Sequence, residues 1–181
     1  MIEVEAKAKI NNFEEIKIKL NKLNAKKIKT EFQEDIYFNS PIVNFAKTDE
    51  ALRIRKTNTE GIEELFITYK GPKIDKKSKT REEVEMGIED ENKCIKIFEN
   101  LGFEKVRTVK KNREYYDLHE YTVSLDDVEG LDPYMEIETM LQDGTEHNEA
   151  QKGLFNIFKE LGITDGFERT SYLELLENKE K

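Results

Sequence analysis

Tryptophan is absent from this 181-residue chain, while cysteine occurs once, histidine twice and proline three times. The lone Cys94 excludes a disulfide within the chain, so any fold must be held by packing and pairing alone. His119 and His147 stand far apart without metal-ligand spacing, and read as surface or capping residues. Positive charge is also short: the net charge is −9, whereas a general nucleic-acid binder is more often basic, so no nucleic-acid partner is expected. No apolar run approaches the roughly 20 residues that span a bilayer, so no membrane partner is expected either. No cationic and apolar leader precedes the first strand-like run, and a cytoplasmic location is the expectation. Gly-rich phosphate loops of the GxxxxGKS/T or GxGxxG kind are missing.

What is present is charge in alternation. Charged residues make up 38% and hydrophobic residues 36%, and the apolar ones are periodic, which argues for a globular fold. The length suits one domain, 1–176, with a Lys-rich tail at 177–181 expected to fray. Strands are expected over residues 2–10, 28–38, 51–56, 65–70, 80–88, 105–117, 120–127 and 133–141. Asn12 caps a helical stripe of Phe13, Ile16, Leu20 and Leu23. A second helix carries Cys94, Ile97, Phe98 and Leu101 and closes at Gly102, and a third covers about 146–161. The stretch 57–63 reads as a hairpin loop around Gly61, and Lys73–Lys79 as a mobile, solvated loop. Glu3-Val-Glu5 returns as Glu83-Val-Glu85, and Gln33, Asp35 and Tyr37 fall on Lys111, Arg113 and Tyr115 at an offset of 78, an internal β-α-β pseudo-repeat.

Successive side chains on a strand face opposite ways. Glu3, Glu5 and Lys7 therefore share one face, with Ile2, Val4, Ala6 and Ala8 behind them. The same holds for Arg53 and Arg55; for Thr68 and Lys70; for Arg81, Glu83 and Glu85; for Lys111 and Arg113; for Ser124 and Asp126; and for Glu136 and Glu138. An open antiparallel sheet could leave these charges in water, or a closed barrel could gather them inside around a ligand. Their segregation favours the barrel. Paired carboxylates on several strands repel unless a cation lies between them, and hard divalent ions such as Mg²⁺ or Mn²⁺ take such oxygen ligands. The Arg forks and Lys charges suit phosphate oxygens. Glu83 and Glu85 fit either a metal or the neighbouring cations. Tyr37, Tyr115, Tyr116 and Tyr172 read as packing residues.

The opening Glu3-x-Glu5-x-Lys7 resembles the signature of the CYTH family, or triphosphate tunnel metalloenzymes. Asp35-Ile-Tyr-Phe38, Ala51-Leu-Arg-Ile-Arg55, Thr68-Tyr-Lys-Gly-Pro72, Lys79-Thr-Arg-Glu-Glu-Val-Glu85, Lys111-Asn-Arg113, Leu125-Asp126 and Glu136-Ile-Glu138 follow in the order that family shows. The chain looks most like the class IV adenylyl cyclase branch. The thiamine triphosphatase branch carries a Trp where this chain has Ala51, which argues against it. The resemblance implies an α+β fold built on an eight-stranded antiparallel barrel, a tunnel flanked by helices. It implies triphosphate binding by Lys7, Arg53, Arg55, Lys70, Arg81, Lys111 and Arg113. It implies Mg²⁺ or Mn²⁺ on Glu3, Glu5, Glu136 and Glu138, with Asp126, Glu83 and Glu85 nearby, and chemistry involving Glu3, Glu5, Lys7 and Asp126. The implied activity is conversion of ATP to cyclic AMP and pyrophosphate. An inorganic or organic triphosphatase is the alternative, and a non-catalytic nucleotide or polyphosphate binder the second. A homodimer is implied by analogy with that branch.

Overall fold

The structure, a computed structural model, describes residues 1–74, 78–142 and 144–180. Eight antiparallel strands close into a barrel in the order β1-β5-β4-β3-β2-β6-β7-β8. They are β1 (Ile2–Lys9), β2 (Lys26–Asn39), β3 (Ala51–Thr59), β4 (Ile62–Lys70), β5 (Arg81–Ile88), β6 (Glu104–Leu118), β7 (Tyr121–Val128) and β8 (Tyr134–Leu141). The helices are α1 (Phe13–Lys22), α2 (Phe45–Thr48), α3 (Glu91–Asn100), α4 (Asn148–Glu160) and α5 (Tyr172–Lys179). The closed barrel that the alternation favoured, and the eight-stranded α+β form that the resemblance implied, are the observed fold.

The hydrophobic core lies outside the barrel wall, between it and the helices. Val4, Ala6 and Ala8 of β1 pack with Ile16 and Leu20 of α1 and with Leu154, Ile157 and Phe158 of α4. Phe38, Leu52, Ile54 and Cys94 form a second cluster, joined by Phe98 of α3. Each fully buried large side chain contributes about 1.5–3 kcal/mol by leaving water. That apolar shell is what permits an interior made of charge.

Chain reversals follow local chemistry. Asn12 accepts the Glu14 amide at 2.8 Å and Asp90 the Lys93 amide at 2.9 Å, so both N-caps satisfy donors that the helix leaves open. Glu60 and Gly61 take positive φ values of 53° and 88° in a two-residue hairpin between β3 and β4. The hairpin loop is thus shorter than the expected 57–63, because the two strands pair to Thr59 and Ile62.

The pseudo-repeat is built into the barrel and is longer than the sequence echo. Each half is β-α-β-β-β, and exchanging the two halves leaves the strand order around the barrel unchanged. Ile2 pairs with Glu82 and Gln33 with Lys111. Each of these residues thus faces its own counterpart across a local twofold axis, at the sequence offsets of 80 and 78.

Two segments differ from the sequence expectation. The 177–181 tail, expected to fray, is helical through Lys179; Leu176 is buried, Lys179 donates to the Gly130 carbonyl and Glu180 pairs with Arg107. The Lys73–Lys79 stretch is not simply a solvated loop: Ser78, Lys79 and Thr80 are buried, and Lys73 pairs with Asp49. Residues 75–77 of that expected loop lie outside the described residues.

Helix α4 rests on the barrel through Gly153. A Cβ added there would lie 1.9 Å from the Tyr121 hydroxyl oxygen, whose proton is donated to the Ala150 carbonyl. In an exposed helix Gly→Ala adds roughly 0.5–1 kcal/mol of stability. Here the clash outweighs it, and Gly153→Ala should cost about 1–3 kcal/mol in chemical denaturation. Tyr121→Phe in the same background should recover part of the loss. An unchanged or raised midpoint in Gly153→Ala would mean that α4 does not seat this way.

Candidate active site

Strand alternation, repeated around a closed ring, turns every charged face inward. Most residues expected at the site line this bore: Glu3 and Glu5 from β1; Arg53 and Arg55 from β3; Lys70 from β4; Arg81, Glu83 and Glu85 from β5; Lys111 and Arg113 from β6; Glu136 and Glu138 from β8. Lys7 and Asp126 do not line it: Lys7 donates to the Thr170 carbonyl at 2.6 Å, and Asp126 lies behind Arg113 and Tyr172. Most are less than a tenth exposed. Charges so buried must be paired or must await a ligand.

The pairing is specific. Arg55 meets Asp35 through two bonds, of 2.6 and 2.7 Å, and Lys111 stands 3.5 Å from the same carboxylate. Arg113 forks onto Asp126 and also reaches Glu136. Lys70 donates to both oxygens of Glu3 at 2.7 Å and lies 2.7 Å from Glu83. Glu83 thus stands in an ion pair, and Glu85 accepts the Thr68 hydroxyl at 2.7 Å. Tyr172 of α5 donates to Asp126 at 2.6 Å, and the Lys7 ammonium lies 3.9 Å from the centre of its ring. Tyr172, expected only to pack, therefore also holds a buried carboxylate of the site.

Not every charge is matched. One carboxylate oxygen each from Glu3, Glu5 and Glu138 lie within 4.8 Å of one another. Hard divalent ions take oxygen ligands at roughly 2.0–2.6 Å, so oxygens spaced like these can share one ion. Burial, with the Glu3 charge adding to it, pushes the Glu138 carboxyl up to about 8. Burial and the nearby Glu136 raise Glu5. The chain's own cations leave Glu5 and Glu138 under-neutralised, as a cation site requires. Glu136 differs: burial works to raise it, but Lys79, Arg113 and Lys7 hold it well below the usual carboxylate range. Of the four expected metal ligands, Glu3, Glu5 and Glu138 converge, while Glu136 stands apart with Arg113 and Lys79, and Asp126 with Arg113 and Tyr172.

Some cations are equally incomplete. Burial lowers Lys111 to about 7, and burial with the neighbouring Lys79 charge brings Lys7 to about 7. The buried Nε atoms of Arg53 and Arg81 have no hydrogen-bond acceptor among the described residues. An anion placed here would gain donors and favour the charged form of Lys111, which lines the cavity.

Sequence reasoning missed two members of the site. Lys79 bonds Glu5 at 2.5 Å and approaches Glu136 at 3.3 Å. Its place in the Lys79-to-Glu85 alternation was the available signal, masked by the basic composition before it. Asp35 was visible in its motif, yet its role in fixing Arg55 depends on a partner 20 residues away.

The cavity holds about 420 Å³ and opens between α2 and α5. A smaller cavity of about 160 Å³ shares Arg55, Glu85 and Tyr115 with it as common walls. Among the described residues, no helix is long and apolar enough to cross a membrane.

Comparison with known proteins agrees with this geometry. A protein of Methanocaldococcus jannaschii, provisionally named an adenylate cyclase, is 48% identical over 176 residues, covering 97% of this chain and 98% of the relative. Adenylate cyclase CyaB of Aeromonas hydrophila is 28% identical, covering 97% and 88%. The solved structure of the PH1819 protein from Pyrococcus horikoshii OT3 superposes with a TM-score of 0.91 at 47% identity, covering 98% and 99%. The CYTH domain profile matches residues 1–172, and the chain belongs to the CYTH family.

Proposed function

We propose that this protein is a metal-dependent enzyme of the class IV adenylyl cyclase type, which converts ATP to cyclic AMP and pyrophosphate. One observation carries the reading: a carboxylate trio, two of its members buried and Glu138 half-buried, and a set of under-satisfied cations line the same bore. The adenylate cyclase names of the two relatives support the choice of reaction. A triphosphatase is the runner-up, because the same clamp would serve attack by water on a terminal phosphorus.

In this reading Glu3, Glu5 and Glu138 hold Mg²⁺ or Mn²⁺. When bound, the ion would neutralise phosphate charge and lower the pKa of the attacking hydroxyl. The chain's own residues do the rest. Arg53, Arg55, Arg81 and Arg113 offer planar forks to phosphate oxygens, and Lys70, Lys79 and Lys111 offer point charges. Asp35 and Asp126 fix Arg55 and Arg113 in place, so little side-chain entropy is lost on binding. Triphosphate binding would favour the protonated form of Lys111, strengthening the clamp as substrate enters. The ribose 3′-hydroxyl then attacks the α-phosphorus in line with the departing pyrophosphate, whose charge the Arg and Lys groups stabilise. Glu83 serves in the pairing wall rather than as a ligand, and Glu136 positions Arg113 and Lys79.

Incubation with ATP and, separately, inorganic tripolyphosphate, with Mg²⁺ or Mn²⁺, should yield cyclic AMP and pyrophosphate from ATP on chromatography. Orthophosphate as the main product would replace the cyclase with the triphosphatase. Glu3→Gln and Glu5→Gln should each lower metal-dependent turnover at least a hundredfold with the circular dichroism spectrum preserved; unchanged turnover would refute the metal assignment. Because Glu138 ionises only near pH 8 in the metal-free protein, an ion must displace its proton below that pH. Apparent metal affinity in calorimetry should therefore fall about tenfold per pH unit between pH 8 and 6, and flatten above 8. The wild-type slope should shrink in Glu138→Gln. A pH-independent wild-type affinity over that range would contradict the assigned ligand set.

A further inference from the structure

Two members of the carboxylate trio already carry ammonium groups. Lys70 donates to both oxygens of Glu3, and Lys79 donates to Glu5 at 2.5 Å. A divalent ion on Glu3, Glu5 and Glu138 would share those carboxylates with both lysines. Like charges set that close in a buried site repel strongly, so each ammonium must yield as an ion binds. The two lysines differ in where they can go. Lys70 holds a second carboxylate, Glu83, at 2.7 Å and can keep it. The second carboxylate near Lys79 is Glu136, 3.3 Å away and engaged by Arg113. Lys79 therefore gives up its short bond without a full replacement from the chain.

The backbone that carries Lys79 is pinned. Its N–H donates to the Glu5 carbonyl at 2.8 Å, which ties it beside the carboxylate it serves. The Ser78 hydroxyl accepts from the Gln151 side chain of α4 at 2.9 Å and lies 2.6 Å from the Thr80 hydroxyl. Both flanking residues, Ser78 and Thr80, are buried. Movement is thus left to the flexible Lys79 stem, which lines the same cavity as Arg53, Arg55, Arg81 and Arg113. An ammonium tethered this way competes for Glu5 at high effective concentration. Once released, it stays within reach of whatever fills the cavity.

We infer that Lys79 is an exchangeable internal counter-ion: a divalent ion takes Glu5 from it, and the released ammonium turns to the triphosphate. The inference rests on the metal and triphosphate reading of the bore and adds a coupling to it. Each ligand then prepares the site for the other, by the same factor in both directions. Lys79 also separates from the rest of the clamp, because its contribution to phosphate binding depends on the metal.

The test is calorimetric titration of the intact protein with Mn²⁺ alone, with tripolyphosphate alone, and with tripolyphosphate at saturating Mn²⁺. The two ligands also attract each other directly, but that attraction is common to all variants and cancels between them. Lys79→Met keeps the length of the stem and removes the charge. It should bind Mn²⁺ alone roughly tenfold more tightly than wild type, and tripolyphosphate at saturating Mn²⁺ roughly tenfold more weakly. Tripolyphosphate without metal should change much less. Lys110→Met, on the outer face of β6, removes the same charge away from the bore and should alter none of the three titrations. Lys79→Arg keeps a cation on Glu5 and so guards against a Lys79→Met protein that fails to fold. Its Mn²⁺ affinity should stay at or below that of wild type, and a higher one would overturn the exchange. So would an unchanged or weakened Mn²⁺ affinity in Lys79→Met, an equal loss of tripolyphosphate with and without Mn²⁺, or an equal gain in Lys110→Met. Each of these outcomes leaves the metal and triphosphate reading standing, whereas a wild-type protein that binds neither ligand would overturn both.

Discussion

Mutual neutralisation of buried charge is the constraint on which this fold depends. Carboxylates and cations from all eight strands face one bore, and a lone buried ion costs several kcal/mol. The barrel tolerates them because each strong cation bridges acids from other strands: Arg113 joins β6 to Asp126 of β7 and Glu136 of β8, and Lys70 joins β4 to Glu3 of β1. The apolar core, displaced to the outer wall, supplies the driving force for folding. Where neutralisation is left incomplete, at Glu5 and Glu138 on one side and at Arg53, Arg81 and Lys111 on the other, a cation and an anion would complete it.

The internal twofold explains how such a site can arise from a repeated unit without being symmetric. Glu3 and Glu5 correspond to Glu83 and Glu85, yet the first pair contributes to the carboxylate trio, while Glu83 pairs with Lys70 and Glu85 accepts from Thr68. Asp35 corresponds to Arg113, opposite in charge, and Gln33 to Lys111, its direct partner across the axis. The duplicated backbone places side chains at equivalent stations, and substitution at those stations separates an acidic pole from a basic one.

Most of this was legible because the information is local. Alternation along β1, β3, β5 and β8 requires only neighbouring residues, and it assigned each charged set to one face. Barrel closure gave those faces a common interior, which alternation alone left open between two architectures. Helix α5 escaped notice although Ser171 and Glu174 form a capping box, a signal present in the sequence. Its function escaped too, because Tyr172 reaches Asp126 across 46 residues. Lys79 was hidden by composition: a run of lysines reads as solvated surface, and only the tertiary structure shows its last member buried between Glu5 and Glu136. The division of labour among the acids was likewise illegible, since it depends on which cation each one meets.

Diffraction from crystals grown with Mn²⁺ and a non-cyclisable ATP analogue would test the central claim most directly, through the anomalous signal of the ion. The account predicts one strong peak inside the barrel within coordination distance of Glu3, Glu5 and Glu138, with the phosphate chain against Arg53, Arg55, Arg81 and Arg113. A peak confined to the outer surface, or a nucleotide bound outside the bore, would contradict it.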